Sequence, residues 1–321
     1  MGRKMRFRDD GTFVIVQFSD VEFIDADDYD PATPEINQMT RATMDCVIEH
    51  EKPDLIVFAG DVTASARGRD PIQSFRNAVA AAEEKRIPWA AVFGNHDSEG
   101  AVSRQRMHEE QLAHSYCVAE ADPPHMSGAG NYSIVLLDQN DEMAAALYFL
   151  DSGDYSSIPS ALGYDWIHRD QIDWYVSESR SLSSMNGGSP LPALSFFHIP
   201  LPEYQEVWNN HICLGHGFER VSSPRINSGL FTAMVETGDM MGTFAGHDYA
   251  NDFCGTLHNI RLCYGRSTRY VSYEDGIRKD RFKTGARVIR LKAGEREFDT
   301  WIRQNDGTIA DLPEHQPEQS G

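Results

Sequence analysis

Short apolar runs alternate with helical patterns in the first third of the chain. Residues 13–18, 55–59 and 89–93 are rich in β-branched, aromatic and small apolar residues, and the fully apolar second run is typical of a strand covered on both faces. Residues 36–51 and 71–86 between them carry apolar positions at helical spacing. This alternation predicts parallel strands joined by right-handed crossovers, and therefore an α/β domain with a parallel portion.

The second half of the chain predicts further strands and two helices. The polar turn at 138–142 separates two strands that we expect to pair, at 133–137 and 146–150. Helices are expected at 168–185 and 229–236. Additional strands are expected at 194–197, 241–245, 260–264, 270–273, 286–291 and 298–303.

Candidate metal ligands follow the first three strands at the points where the apolar runs end. Asp20 and Glu22 follow the first run, Asp61 follows the second, and Asn95 follows the third. Because the carboxyl ends of parallel strands meet at one edge of a sheet, we expect these side chains to lie together. Asp61 has two oxygens and is a candidate bridge between two cations, whereas a plain turn-capping aspartate is the alternative.

Two histidines follow later strands in the same way. His198 comes after Phe196-Phe197, and His247 comes after Phe244. One histidine after a strand is ordinary, but two at strand ends favour a metal site with imidazole ligands. In the third segment, Gly94-Asn95-His96-Asp97, we expect His96 to face the substrate and Asp97 to hold one of its ring nitrogens.

The amino-acid composition limits the kinds of molecule that the protein surface is expected to bind. Across 321 residues there are 29 basic and 49 acidic side chains, a formal net charge of -20. This surface disfavours nucleic acid and anionic membranes, but bound cations would still admit a small phosphate ester. The segment 1–11 lacks a secretory apolar stretch and the longest apolar run, 143–150, is too short to span a bilayer, so we expect a cytoplasmic protein. Oligomeric state stays open.

The five cysteines are expected to be free thiols in a reducing compartment. A pair between Cys254 and Cys263 is the alternative, and spacing does not decide between the two.

The order of the ligand segments resembles the calcineurin-like metallophosphoesterase superfamily, whose pattern is Asp-x-His, Gly-Asp, Gly-Asn-His-Asp/Glu, His and Gly-His-x-His. Within it, the chain is similar to a subgroup of plant purple-acid-phosphatase-like and fungal cell-cycle phosphatases. The strings that carry this similarity are 147–153, 196–204, 227–231, 246–248 and 251–255. The resemblance implies a four-layer αββα sandwich with two central mixed β-sheets over 12–303, flanked by an N-terminal arm (1–11) and a polar, frayed C-terminal tail (304–321).

Two positions depart from the family pattern, and both belong to the same metal. Glu22 stands where the pattern has the first histidine, and Tyr249 stands where it has the last one. The oxygen ligands that remain favour Fe(III), Mn(II) or Mg(II) at this first position, and the imidazoles favour Zn(II), Fe(II) or Mn(II) at the second. By the resemblance, the first metal takes Asp20, Glu22, Asp61 and Tyr249, and the second takes Asp61, Asn95, His198 and His247.

These ligands imply hydrolysis of phosphate esters by a hydroxide that bridges two metal ions, with His96 and Asp97 as catalytic residues. The ligands do not distinguish a phosphomonoesterase from a phosphodiesterase, and no substrate-binding residue is identified. The alternative is a non-catalytic or mononuclear metal-binding scaffold, which Glu22 and Tyr249 keep open. Ligand chemistry favours a retuned site over a lost one, because both replacements can still bind a metal.

Overall fold

Two β-sheets form the centre of the part of the chain that this computed structural model describes, residues 4–25, 31–269 and 282–317. The strands are β1 (Met5–Arg6), β2 (Thr12–Phe18), β3 (Leu55–Ala59), β4 (Trp89–Val92), β5 (Tyr132–Leu137), β6 (Met143–Phe149), β7 (Ala193–Phe196), β8 (Cys213–Leu214), β9 (Met240–Ala245), β10 (Cys254–Leu257), β11 (Ile260–Tyr264), β12 (Gly285–Lys292), β13 (Phe298–Gln304) and β14 (Glu314–His315). The α-helices are α1 (Thr33–Glu51), α2 (Pro71–Lys85), α3 (Arg104–Leu112), α4 (Arg169–Met185), α5 (Glu203–Asn210) and α6 (Leu230–Thr237). Single 3-10 turns lie at His96–Ser98 and Pro159–Ala161.

The smaller sheet has the order β13-β12-β2-β3-β4. Strands β2, β3 and β4 are parallel, and β12 runs antiparallel to both β2 and β13. Helices α1 and α2 are the crossovers between the parallel strands. Helix α2 begins at a good N-cap, because the Asp70 side chain accepts the Gln73 N–H at 3.0 Å and Pro71 occupies the first turn.

The larger sheet has the order β1-β5-β6-β7-β9-β11-β10-β8-β14. It is mixed: β6, β7, β9 and β11 are parallel neighbours, and β10 pairs antiparallel with both β11 and β8. Strands β7 and β9 therefore bring His198 and His247 to the same edge, as the parallel strands of the smaller sheet do for their own ligands.

Three apolar cores separate four layers. One core lies between the two sheets and includes Ile15, Val57, Phe149 and Phe196. A second core packs α1, α2 and α3 on the smaller sheet, and a third packs α4, α5 and α6 on the larger one. The predicted αββα sandwich with two mixed sheets is confirmed.

Several details differ from the sequence expectations. Met5–Arg6 in the predicted N-terminal arm forms a strand beside β5. Glu314–His315 pairs with β8, so the described part of the predicted C-terminal tail is not frayed throughout. Neither short strand tests where the predicted arm, domain and tail begin and end, so these boundaries remain predictions. The strand predicted at 270–273 lies outside the described residues.

The expectation that all cysteines are free is wrong for one pair. Cys254 and Cys263 are direct cross-strand partners on β10 and β11 and form a disulfide. Their Cα atoms lie 4.2 Å apart, as strand pairing requires. Cys46, Cys117 and Cys213 are free thiols. In the described residues, no helix is both long enough and apolar enough to cross a membrane.

Candidate metal centre

The loops after β2 and β3 are tied together at the edge of the smaller sheet. The backbone N–H of Asp20 donates to the Gly60 carbonyl at 3.3 Å, and that of Glu22 donates to the Asp61 carbonyl at 2.9 Å. These bonds continue strand-like pairing beyond the strand ends. They hold the first three predicted carboxylate ligands side by side.

Four of the predicted ligands have left-handed backbone conformations. The φ angle is +54° at Asp20, +40° at Glu22, +46° at Asp61 and +80° at His247. Side-chain-bearing residues adopt this region rarely and at a cost of about 1–3 kcal/mol each. The occurrence of this conformation at four residues after three strand ends shows that the surrounding fold holds these side chains in one place.

The two histidines meet Asp61 in a buried cluster. His198 Nδ1 lies 2.9 Å from the Ala59 carbonyl, so this nitrogen carries the proton and Nε2 points into the site. His198 Nε2 lies 3.1 Å from Asp61 Oδ2 and 3.3 Å from His247 Nδ1. With neutral rings, carboxylate oxygen and imidazole lone pair face each other, which is unfavourable unless a cation lies between them.

The protonation states of this cluster are mutually dependent. Burial alone would raise the pKa of Asp61, but the charge of His198 lowers that pKa to about 2. Burial alone would lower the pKa of His198, but Asp61 raises it to about 9. Burial, and then the charge of His198, lower the pKa of His247 to about 3. A proton on His198 thus balances Asp61, and a metal ion would displace it.

Unpartnered buried atoms show that this side of the site fits a metal. Among the described residues, Asn95 Oδ1 and His247 Nε2 are buried without a hydrogen bond, and Asp61 Oδ2 faces His198 Nε2 at 3.1 Å, which can donate to it only when that ring carries two protons. Ligand atoms of Asp61, His198 and His247 lie within 4.8 Å of one another. The Asn95 side chain donates through Nδ2 to the Tyr155 hydroxyl at 3.2 Å. This hydrogen bond orients the amide and leaves its oxygen available to a metal ion. Two imidazoles with carboxylate and amide oxygen suit Zn(II), Fe(II) or Mn(II).

On the oxygen-rich side of the site, which Asp20, Glu22 and Tyr249 form, the predicted ligands make hydrogen bonds with other protein groups. The Tyr249 hydroxyl donates to Glu22 Oε1 in a short hydrogen bond, and Arg269 Nη1 lies 2.5 Å from Glu22 Oε2. Both Asp20 oxygens accept the backbone N–H of His247, at 3.1 and 3.3 Å. Burial, and then the charge of Glu22, raise the pKa of Tyr249 far above its ordinary value. Glu22, Asp61 and His96 still offer ligand atoms within 4.8 Å of one another.

His96 is oriented by a different carboxylate from the predicted one. Its Nδ1 lies 2.7 Å from Glu99 Oε2, and its Nε2 lies 4.0 Å from Asp61 Oδ2. Burial lowers the pKa of His96, but the charge of Asp61 and the hydrogen bond to Glu99 outweigh this effect and raise it. The prediction that Asp97 holds the His96 ring is wrong. The 3-10 turn at His96–Ser98 places residue i+3, not i+1, beside the ring.

Asp97 instead ties together the loops that carry the ligands. Its buried carboxylate accepts the backbone N–H groups of Gly94 at 2.8 Å, Thr63 at 2.7 Å and Val62 at 3.3 Å. It also accepts the Thr63 hydroxyl at 3.1 Å. Burial, and then the charge of Asp61, raise the pKa of Asp97 to about 6. Asp97 therefore connects the Asp61 loop with the Asn95 loop and does not touch the cleft-facing ring.

An open cleft of about 440 Å³ lies over this cluster. Its wall includes predicted site residues and one exposed cation, Arg220. Tyr155 lies beside the cluster, donating its hydroxyl to Glu99 Oε1 at 2.5 Å. The residues that line the cleft are His96, Tyr164, Glu219, Arg220, Ser222, His247, Asp248 and Tyr249.

Sequence reasoning identified the strand-end residues of this cluster and missed its neighbours. Arg269 and Glu99 follow no apolar run, and Arg220 lies in a polar loop. Only the spacing of Glu99, three residues after His96, offered a signal, and it depends on knowing that the segment turns helically.

The four layers and the buried carboxylate, amide and imidazole cluster at one rim define a metal-binding α/β sandwich. A family model described as calcineurin-like phosphoesterase matches residues 13–248. The chain belongs to this family.

Relatives and solved structures agree with this assignment. The chain is 34% identical to the Arabidopsis thaliana protein named "Probable inactive purple acid phosphatase 29", over 93% of this chain and 82% of the relative. It is 31% identical to "Phosphatase DCR2" of Saccharomyces cerevisiae, over 94% of this chain and 55% of that protein. The fold is similar to a dimetal phosphatase from Danio rerio, with a TM-score of 0.56 at 12% identity, covering 90% of this chain and 98% of that one.

Proposed function

We propose that this protein hydrolyses phosphate esters in a metal-dependent reaction at the cleft above Asp61. The observation that carries the proposal is the buried cluster of Asp61, His198 and His247, whose ligand atoms lie within 4.8 Å of one another, with His247 also lining the open cleft. Membership of the calcineurin-like phosphoesterase family supports the same chemistry.

The chain's own residues divide the work. Asp61, Asn95, His198 and His247 are the proposed ligands of the histidine-side ion. A bound metal would supply Lewis acidity toward a phosphoryl oxygen and would lower the pKa of a water molecule. His96 lines the cleft and its ring is oriented by Glu99, so we assign it the hydrogen bond or proton that the leaving oxygen requires.

Arg220 is the proposed contact for the phosphate of the substrate. It is exposed on the cleft wall, where Glu219 and Asp248 are the neighbouring acidic residues. A guanidinium is permanently charged and matches phosphate oxygens with two parallel donors. On a chain with a net charge of -20, this local cation would draw an anionic ester to the cleft.

The test begins with metal-free protein reconstituted separately with Zn(II), Mn(II), Fe(II) and Mg(II). Turnover is then measured with p-nitrophenyl phosphate and bis-p-nitrophenyl phosphate, which distinguish a monoesterase from a diesterase. We expect turnover of one or both esters with at least one metal, and its loss on chelation. No turnover by any loaded form would contradict the proposal.

Two variants separate binding from chemistry. His198→Ala is expected to lose both bound metal and turnover, whereas His96→Ala is expected to lower turnover by about 10²-fold or more while keeping the metal. His50→Ala, on the outer helix α1, is the matched control and should change neither. Equal loss of metal and turnover in His96→Ala would move His96 into the metal shell.

The KM for the ester tests the proposed role of Arg220. Arg220→Ala is expected to raise KM for the ester with a smaller effect on kcat, because the cation contributes mainly to substrate binding. Arg180→Ala, exposed on α4 away from the lining residues, should leave KM unchanged. An unchanged KM in Arg220→Ala would remove this residue from the proposed substrate contacts.

A non-catalytic metal-binding protein is the second candidate function. The departures at Glu22 and Tyr249 favour it, and so does the word "inactive" in the name of the Arabidopsis relative. Retained metal without turnover of either ester would support this candidate over hydrolysis.

A further inference from the structure

We infer that the guanidinium of Arg269 takes the place of the second metal ion, so that the centre holds one exchangeable metal ion per chain, on the histidine side. The inference rests on the proposed metal site at Asp61, His198 and His247, but not on turnover. It concerns the oxygen-rich position, to which the family pattern assigns a metal held by Asp20, Glu22, Asp61 and Tyr249.

Both carboxylate oxygens of Glu22 already have donors from the protein. Tyr249 donates to Oε1, and Arg269 Nη1 donates to Oε2 at 2.5 Å. The same Nη1 also lies 3.0 Å from the Glu22 backbone carbonyl, so the guanidinium hydrogen-bonds both the side chain and the backbone of Glu22. A metal ion at Glu22 would have to share these oxygens with a neutral donor and a charged one, and the charged donor repels it.

Arg269 is built into the site and does not reach it from solvent. Its side chain is only 5% exposed. The preceding backbone is fixed beside the end of β2, because Thr268 N–H donates to the Ser19 carbonyl at 2.9 Å and Arg269 N–H to the Asp20 carbonyl at 3.3 Å. Displacing this guanidinium from Glu22 would leave a buried, permanently charged group without its partner, which is strongly unfavourable.

The remaining oxygen ligands are also committed to the protein. The Tyr249 hydroxyl donates its proton to Glu22 and is therefore a neutral phenol, which is a much weaker metal ligand than a phenolate. The Asp20 oxygens accept the His247 N–H and so hold the loop that carries a histidine-side ligand. Asp20, Glu22 and Tyr249 are the ligands that only this position uses, and none of them has an unpartnered buried acceptor among the described residues, in contrast to Asn95 and His247.

The formal charges agree with one metal. Asp20, Glu22 and Asp61 carry three negative charges when ionised, which one divalent ion and one guanidinium balance. Distance alone would permit a second ion, since Glu22, Asp61 and His96 offer donors within 4.8 Å of one another. A second divalent ion would, however, be placed directly against the Arg269 cation, which repels it.

The experiment counts metal ions. Metal-free protein is loaded with excess Mn(II) or Zn(II), passed through a desalting column and analysed by plasma mass spectrometry, and titration calorimetry gives the number of binding events. We expect one equivalent per chain and, for Mn(II), the spectrum of an isolated ion in electron paramagnetic resonance. Two equivalents of similar affinity, or an exchange-coupled Mn(II) pair, would overturn the inference.

Variants of Arg269 test its part directly. Arg269→Met removes the charge at similar volume and is expected to admit a second equivalent, whereas Arg269→Lys keeps the charge and should stay at one. A well-folded Arg269→Met that still binds one equivalent would overturn the assignment to Arg269. If Arg269→Met does not fold, the wild-type count and the Lys variant decide.

The outcomes also distinguish this inference from the proposed function. One bound metal without turnover of any ester would leave the inference standing and contradict phosphoester hydrolysis. Turnover with two tightly bound metals per chain would support phosphoester hydrolysis and contradict the inference.

Discussion

Replacing Gly60 with alanine tests whether the backbone before Asp61 is shaped to admit His198. Gly60 has a φ of +85°, and a Cβ added there would lie 2.3 Å from His198 Nδ1. That nitrogen makes the 2.9 Å hydrogen bond to the Ala59 carbonyl that orients the ring. Gly60→Ala therefore cannot be accommodated without moving His198 from its present position.

The size of the effect follows from three separable costs. The left-handed backbone alone costs an alanine about 1–2 kcal/mol. Overpacking against the imidazole adds about 1–3 kcal/mol, and losing the hydrogen bond to Ala59 adds about 1 kcal/mol. We expect Gly60→Ala to lower the free energy of unfolding by about 3–6 kcal/mol in total.

Gly187 provides the matched control. It also has a positive φ, +68°, but a Cβ there would meet nothing within 4 Å. Gly187→Ala should carry the backbone cost alone, about 1–2 kcal/mol. The difference between the two variants, about 2–4 kcal/mol, then reports the clash with His198 rather than backbone strain.

The assay is denaturant unfolding of the metal-free protein, followed by metal titration of each folded variant. Gly60→Ala should also bind the histidine-side metal about 10- to 100-fold more weakly, because the ring that presents the ligand has moved. Gly187→Ala should bind it normally. Equal unfolding free energies for the two variants, with equal metal affinity, would refute this account of the site.

Further predictions concern the groups that hold the site in place. Asp97→Ala leaves three buried backbone N–H groups without their acceptor and should lower the free energy of unfolding by about 3–5 kcal/mol; if its main effect is on turnover at unchanged stability, Asp97 orients His96 after all. Asp252 is buried against Arg266, and although burial raises its pKa, that cation and the hydrogen bond from His216 lower it to about 2 from an ordinary 3.8. Because the folded pKa is the lower one, Asp252 contributes about 2 kcal/mol of stability that is present above about pH 4 and lost as the pH falls through about 2. Acid titrations of wild type and Asp252→Asn should differ by this amount, and parallel curves would contradict it. Reduction of Cys254–Cys263, which closes a nine-residue separation, should lower the free energy of unfolding by about 2–3 kcal/mol, measured with and without reductant and with Cys213→Ala as the thiol control.

The fold was largely predictable because its crossovers are regular. Each parallel strand of the smaller sheet is an apolar run of four to seven residues followed by a turn, and each crossover helix has one apolar face. The same regularity led to Asp20, Asp61 and Asn95, since ligands at parallel strand ends must share an edge. Two-residue strands such as β1, β8 and β14 have no periodicity to detect, so they were missed.

The site was less predictable where contacts are not set by strand ends. The ring of His96 lies beside Glu99 because a 3-10 turn aligns residues three apart, whereas sequence adjacency suggested Asp97. Arg269 meets Glu22 across 247 residues of sequence, after a stretch with no apolar signal. Short-range patterns carry no information about a contact of this kind.

Glu22 and Tyr249 acquire a common explanation once Arg269 is included. Replacing a neutral imidazole with a carboxylate adds a buried negative charge, which is costly unless a cation pairs with it. Arg269 supplies that cation and donates to one carboxylate oxygen of Glu22, and the Tyr249 hydroxyl donates to the other. The two departures are therefore hydrogen-bonded to each other, and Glu22 also pairs with the guanidinium. The histidine side keeps every ligand type of the family pattern, and Asn95 Oδ1 and His247 Nε2 remain without a hydrogen bond in the part of the chain that the structure describes. Loss of function by unconstrained drift would disturb both sides alike. The confinement of both departures to one position instead supports the inference that a protein cation has replaced a metal while the neighbouring metal site was retained.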